Sequence, residues 1–330
     1  MALVLGLLSA PAPAQPPRQD QDEDTITVEA NLVRLNVGVA DRRGRAVTDL
    51  SRSDFVVFED GVRQNITSFE PTHAPFSLVL LLDLSGSTLS FRTTLKQSAL
   101  RFLDALAPDD RVAVVAFSDK VRTLADFTTD RRKTAFAITE LASGRGTSNL
   151  YGGLKHSLEQ LADEGRRRKA VVVLTDGVDT ELRRQDGSAS AGAHTDLEAI
   201  ASVKPEASGT LRSVLDMADR QGVTIYPLAL PSGDPKRFPS ITPQQAAIYA
   251  AARARIQTLA DRTGGRLHEI NRLEDMGRLY AEVAADMRTL YSIAYQPPAA
   301  RPRDGSWRAI NIEVTRADLL ARTRPGYYAR

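Results

Sequence analysis

Two spacings of hydrophobic residues divide this chain. Over residues 25–70 apolar and polar positions alternate: Val33, Leu35, Val37 and Val39 are separated by Arg34, Asn36 and Gly38, which predicts a half-buried strand. Val56-Val57-Phe58 and Ile66-Thr67-Ser68-Phe69 flank Asp60-Gly61, a hairpin signal. From residue 76 the alternation gives way to largely apolar runs at 76–82, 111–117, 170–175 and 223–229, with a further strand candidate at 266–270. Such runs read as strands buried on both faces, as in a parallel sheet covered by helices. Between the first two, Leu95, Ala99, Phe102, Leu103 and Leu106 fall on one helical stripe. Val121 to Phe127 suits a single antiparallel edge strand. After a helix expected over Leu273–Met287 the chain returns to β, with Tyr291–Pro297 as one strand and Ile310, Ile312 and Val314 alternating along another.

The expected fold class is therefore α/β: a doubly wound, mostly parallel sheet flanked by helices. The flanking β segments, residues 25–72 and 291–330, are each too short to bury an independent core. The economical arrangement pairs them in one β-sandwich, with the α/β domain, residues 76–290, inserted between. Two stretches interrupt the βα rhythm and read as long loops: 179–209, rich in Ser, Ala and Gly, and 231–243, which holds several Pro.

Composition narrows the setting. A net charge of +2 with 42% hydrophobic residues suits a globular chain. The basic residues are scattered without interleaved aromatics, which argues against nucleic-acid binding. The run Arg166-Arg167-Arg168-Lys169 reads as a solvated helix end. The chain has no Cys, so disulfides and thiolate metal sites are excluded. Ala2 to Leu8 is apolar but too short to span a bilayer, and Ala12-Pro13-Ala14 has the small-residue form of a signal-peptidase site. Residues 1–14 are thus expected to be a signal peptide, 15–24 a polar, acidic linker, and the protein to be exported to the periplasm or beyond, without a membrane span.

The candidate chemistry begins where the most apolar strand stops. Asp83-Leu84-Ser85-Gly86-Ser87 places one carboxylate and two hydroxyls on a turn at the strand's carboxyl end, where open α/β sheets bind ligands. A second segment, Gly144 to Leu154, is a Gly-rich loop with the hydroxyl pair Thr147-Ser148, followed by a helix. A third, Thr175-Asp176-Gly177, ends another apolar strand with a carboxylate. Oxygen donors alone, with no Cys or His beside them, suit a hard cation such as Mg²⁺ or Mn²⁺. The four histidines, His73, His156, His194 and His268, lack metal-ligand spacing. The Gly-x-Ser-x-Gly elbow, the Walker loop and the dinucleotide glycine fingerprint are all missing from the sequence.

Taken together, the three segments resemble the metal-ion-dependent adhesion site of von Willebrand factor A domains over about residues 76–290. The resemblance implies that Ser85 and Ser87 bind the metal directly, with Asp83 and Asp176 in or just outside its coordination sphere. The family's Thr position falls on Thr147 by residue type but on Ser148 by the register of Leu150-x-x-Gly153-Leu154, and the register is preferred. It further implies a protein ligand that presents an Asp or Glu carboxylate to the metal, and no catalysis. Val39–Gly44, Glu59-Asp60-Gly61, Leu259–Arg266 and Tyr291–Pro297 are similar to an exported bacterial subfamily of these domains. The expected function is an exported, non-enzymatic binding or adhesion module. The alternatives are a metal-dependent hydrolase, which would need a base these segments do not supply, and a structural α/β module with a vacant metal site.

Overall fold

The computed structural model describes residues 32–329, apart from 145, 166, 235–239, 299–301 and 303. The expected signal peptide (1–14) and linker (15–24) lie outside the described residues. The chain opens with β1 (Val33–Asp41), β2 (Phe55–Glu59), β3 (Val62–Gln64) and β4 (Ile66–Glu70). It continues through β5 (Phe76–Asp83), α1 (Arg92–Ala105), β6 (Arg111–Phe117), β7 (Val121–Thr128), α2 (Arg131–Phe136) and α3 (Leu150–Ala162). Next come β8 (Arg168–Thr175), α4 (Thr180–Ala189), α5 (Asp196–Ser202), α6 (Gly209–Gln221), β9 (Val223–Ala229) and α7 (Pro243–Thr263). The last elements are β10 (His268–Glu269), α8 (Met276–Arg288), β11 (Leu290–Tyr295), β12 (Trp307–Val314), β13 (Leu319–Arg322) and β14 (Gly326–Tyr328). Among the described residues no helix is long and apolar enough to cross a membrane.

The described strands form a six-stranded sheet in the order β10-β9-β8-β5-β6-β7 and two four-stranded antiparallel sheets. The large sheet is parallel except at β7, which pairs antiparallel with β6 at the edge, as its weaker hydrophobicity predicts. All eight residues of β5 are buried. Leu78, Leu80 and Leu82 face α1 and α8 on one side, while Val79 and Leu81 face α3, α6 and α7 on the other. Burial on both faces is why the strand reads as an unbroken apolar run rather than an alternation.

The two ends of the chain interleave. β1 lies between β11 and β13, and β12 lies between β14 and β2. Val33, Leu35, Val37 and Val39 share one core with Phe55, Val57, Tyr291, Ile293, Tyr295, Ile310 and Ile312. The Tyr295 hydroxyl donates to Glu59 Oε2 at 2.7 Å, joining one small sheet to the other through a buried polar contact. The other side of β1 is not simply solvated. Asn36 is buried and donates to Gly222 O at 3.1 Å and to Thr224 Oγ1 at 2.7 Å, tying the sandwich to the α/β part.

Three expectations need correction. The Asp60-Gly61 hairpin pairs β2 with β3, not with Ile66–Phe69, which crosses to the other small sheet beside β11. Residues 179–209 are largely helical: α4 and α5 occupy most of the stretch, each capped by a side chain (Asp179 and Thr195). Small residues there mark close helix packing, with Ala199, Ala247 and Ala251 in one small buried cluster. The basic run is not a solvated helix end either. Arg168 and Lys169 are buried at the start of β8. The Arg168 guanidinium lies 4.0 Å from the Phe76 ring centre and donates to the carbonyls of Thr72 (2.8 Å), Ala74, Met287 and Leu290.

Those four carbonyls belong to the two crossings between sandwich and α/β part. Replacing Arg168 with Met strips their shared donor while keeping most of the side-chain volume. The Arg168→Met variant should lose about 2–4 kcal/mol in urea unfolding, since buried carbonyls left unpaired carry their full desolvation cost. A loss below about 0.5 kcal/mol would mean that water takes over the donor role. A peptide of residues 25–70 should be unfolded in isolation, because among the described residues its internal β pairing is limited to β2–β3 and the Ala40–Ala46 bridge. Dispersed amide signals from that peptide in NMR would contradict this.

Candidate metal centre

β5 and β8 are neighbours, and their chains leave in opposite directions. The segment after β5 turns to α1 on one face, and that after β8 goes to α4 and α6 on the other. A crevice forms at such a divergence, outside the carboxyl ends of the strands. Asp83 and Asp176 stand there, Asp83 fully buried and Asp176 nearly so.

Asp83 is held from two sides. Its Oδ2 accepts the Thr175 hydroxyl at 2.7 Å and its Oδ1 accepts the Ser85 amide at 3.0 Å. Burial, and secondarily the negative charge of Asp176, push its pKa up to about 7. The turn beyond it is closed by Thr88, whose hydroxyl reaches Asp83 O at 2.9 Å and Ser85 O at 3.0 Å. Ser85 and Ser87 put their hydroxyl oxygens 3.1 Å apart, Ser85 buried and Ser87 exposed. Asp176 Oδ1 accepts the Val178 amide at 3.0 Å.

The glycine-rich loop is drawn onto this turn by backbone contacts. The Gly86 amide donates to Gly146 O at 2.9 Å, and Arg92 donates to Leu84 O at 2.6 Å and Gly144 O at 2.5 Å. A Cβ at Gly144 would stand 2.9 Å from Leu84 O, so only glycine allows the approach. Ser148 is clasped by Thr180: its amide donates to Thr180 Oγ1 and its carbonyl accepts the Thr180 amide, both at 2.9 Å. Its own hydroxyl oxygen is enclosed and has no hydrogen-bond partner among the described residues. Thr147 is exposed. Asn149 then caps α3 through Gly152 N at 3.1 Å, and Gly153 packs α3 against Leu81 and Phe117.

The structure thus brings the Asp83–Ser87 turn, the Thr147-Ser148 loop and Asp176 to one end of the sheet. Among the described residues no three His, Asp or Glu side chains cluster as a metal cage, so hydroxyls would have to complete any cation site. Four further contributors were not singled out from sequence: Thr175, Thr88, Arg92 and Thr180. Thr175 was recoverable from its place beside Asp176. Arg92 and Thr180 carry no local signal, since each acts on a segment distant in sequence.

The raised pKa has a checkable consequence. A proton held by folded Asp83 but lost by the unfolded chain favours folding below the ordinary carboxylate range, about pH 4, and that contribution disappears as pH rises through about 7. In the metal-free protein, stability should therefore decline across that window by an amount on the order of a few kcal/mol. Asp83→Asn should flatten the slope in urea titrations at stepped pH. An unchanged slope in that variant would assign the effect to other groups.

The model of the von Willebrand factor type A domain matches residues 78–178. No curated protein sequence matches the chain. Solved structures similar to it include the vWF domain of the type V pili tip protein Mfa5 from Porphyromonas gingivalis (13% identity, TM-score 0.47, covering 64% of this chain and 95% of that one). Another is a von Willebrand factor type A protein from Catenulispora acidiphila (12% identity, TM-score 0.46, covering 92% and 74%). A third is proximal thread matrix protein 1 from the mussel byssus with a zinc-occupied MIDAS motif (12% identity, TM-score 0.47, covering 68% and 49%). Residues 78–178 carry the match to the von Willebrand factor type A domain, and the fold is of that domain's α/β type, with two antiparallel sheets added.

Proposed function

We propose that this chain is an exported, non-enzymatic module that binds a protein partner through a divalent cation, Mg²⁺ or Mn²⁺, at a metal-ion-dependent adhesion site. The observation that carries this reading is the enclosed Ser148 hydroxyl without a partner, in a loop held against the Asp83–Ser87 turn. A buried hydroxyl that satisfies nothing in the protein is costly unless something else engages it. The second support is electrostatic. The negative charge of Asp176 adds to the cost of ionising buried Asp83, and Arg92 donates to the carbonyls of Leu84 and Gly144. A hard cation relieves that repulsion and prefers oxygen donors.

In this reading Ser85, Ser87 and Ser148 hold the cation directly, and Asp83 and Asp176 hold it directly or through water. A bound Mg²⁺ would supply a Lewis-acid position for one oxygen of a partner Asp or Glu carboxylate. Neutral hydroxyls leave more of its charge available than carboxylate ligands would. The protein's own part is to fix the donors: Thr175 orients Asp83, Thr88 shapes the serine turn, and Thr180 sets the height of Ser148. Export rests on the apolar stretch and the Ala12-Pro13-Ala14 site. Residues 76–290 would form the binding unit, and 25–72 with 291–330 the sandwich that supports it.

Calorimetry with Mn²⁺ tests the site. The double change Ser85→Ala and Ser87→Ala should abolish binding with an unaltered circular dichroism spectrum; undiminished affinity sinks the assignment. Ser148→Ala should weaken binding of Mn²⁺ and of an acidic peptide by about 1–3 kcal/mol, while Thr147→Val should be mild. The reverse pattern would move the ligand by one residue.

A further inference from the structure

Beside the candidate site lies a groove of about 780 Å³ between α4 and the start of α7. Thr180, Arg183, Arg184, Gly187, Thr242 and Ile248 are among its walls and floor, and no carboxylate lines it. Thr180, the residue that clasps Ser148, is part of both, so the groove begins where the metal-site loop ends. Its walls are fixed before any partner arrives. The buried Arg255 of α7 grips Asp186 of α4 in a bidentate ion pair at 2.7 and 2.6 Å, and Gln244 Nε2 donates to Gly187 O at 2.6 Å.

The charge in this groove is one-sided. Arg184 is engaged by Glu181 at 2.7 Å, but Arg183 is exposed and its guanidinium has no hydrogen-bond or ion-pair partner among the described residues. A guanidinium offers five N–H donors in a fork that matches a carboxylate. We propose that this groove receives a second acidic side chain of the same partner segment whose first carboxylate binds the metal. This rests on the metal-dependent reading above and adds a chemical description of the partner: an extended, acidic segment with two carboxylates a few residues apart. Selectivity then comes from spacing, because an extended chain advances roughly 3.3 Å per residue, and Arg183 moves little relative to Thr180 on the same helix.

The test uses fluorescein-labelled Gly/Ser peptides with one Glu, or with two Glu separated by two to six residues, titrated onto the full chain in Mn²⁺. At one spacing the two-Glu peptide should bind roughly three- to fivefold tighter than the one-Glu peptide, the range of an exposed ion pair. Arg183→Glu should abolish that gain while leaving Mn²⁺ affinity and one-Glu binding unchanged, and Arg183→Lys should keep part of it. A gain that persists in Arg183→Glu, or no gain at any spacing, overturns the groove assignment. The two readings separate under EDTA. Mn²⁺-dependent one-Glu binding without a spacing gain leaves the metal site standing and removes the groove. Arg183-dependent binding that survives EDTA does the opposite.

Discussion

Arg168 places a full positive charge inside the protein at the foot of the central sheet. Four carbonyls and the face of Phe76 receive it. Burial holds its pKa down, to about 10, so it remains a cation under ordinary conditions. Two of those carbonyls precede β5 and two join α8 to β11. One side chain therefore fixes both passages between the sandwich and the α/β part. A second junction works on the far side, where buried Asp219 of α6 accepts Arg324 at 2.7 Å and Arg262 at 3.2 Å. Arg262 in turn lies 4.4 Å from the centre of the Trp307 ring. Through these two polar junctions the two parts share one framework despite their separate cores.

The opposite end of the sheet is built on the reverse principle. There the framework buries a carboxylate, Asp83, beside another, Asp176, with hydroxyls as its nearest polar neighbours. Burying one carboxylate beside another carries a cost in desolvation and repulsion. Strain of this kind at the mouth of a crevice is characteristic of a place where something binds. The surrounding loops are held by backbone contacts and by Arg92, while the Ser148 hydroxyl has no hydrogen-bond partner among the described residues.

The helices α4 and α5 change the picture of the surface beside the crevice. A stretch rich in Ser, Ala and Gly reads as loop because those residues have modest helix propensity or frequent turns. Here tertiary packing overrides that preference. Small side chains let α5 lie close on α7, and the Asp186–Arg255 pair holds α4 in place. The result is a rigid wall next to the crevice rather than a pliable cover.

The sequence alone determined the sheet. Apolar runs long enough for strands, separated by helical stripes, admit few arrangements once burial on both faces is required, and the observed strands fall on those runs. It also singled out Asp83, Ser85, Ser87, Thr147, Ser148 and Asp176, because oxygen donors at strand ends form a local pattern. Only the tertiary structure decided which partners those residues have. Thr180 holding Ser148, Arg92 bridging two loops and Arg168 joining both crossings are contacts between segments far apart in sequence, and nothing local encodes them. The pairing of Ile66–Glu70 with β11 rather than with β3 is likewise a contact between segments far apart in sequence. Periodicity reports which face of an element is buried; it does not report what covers it.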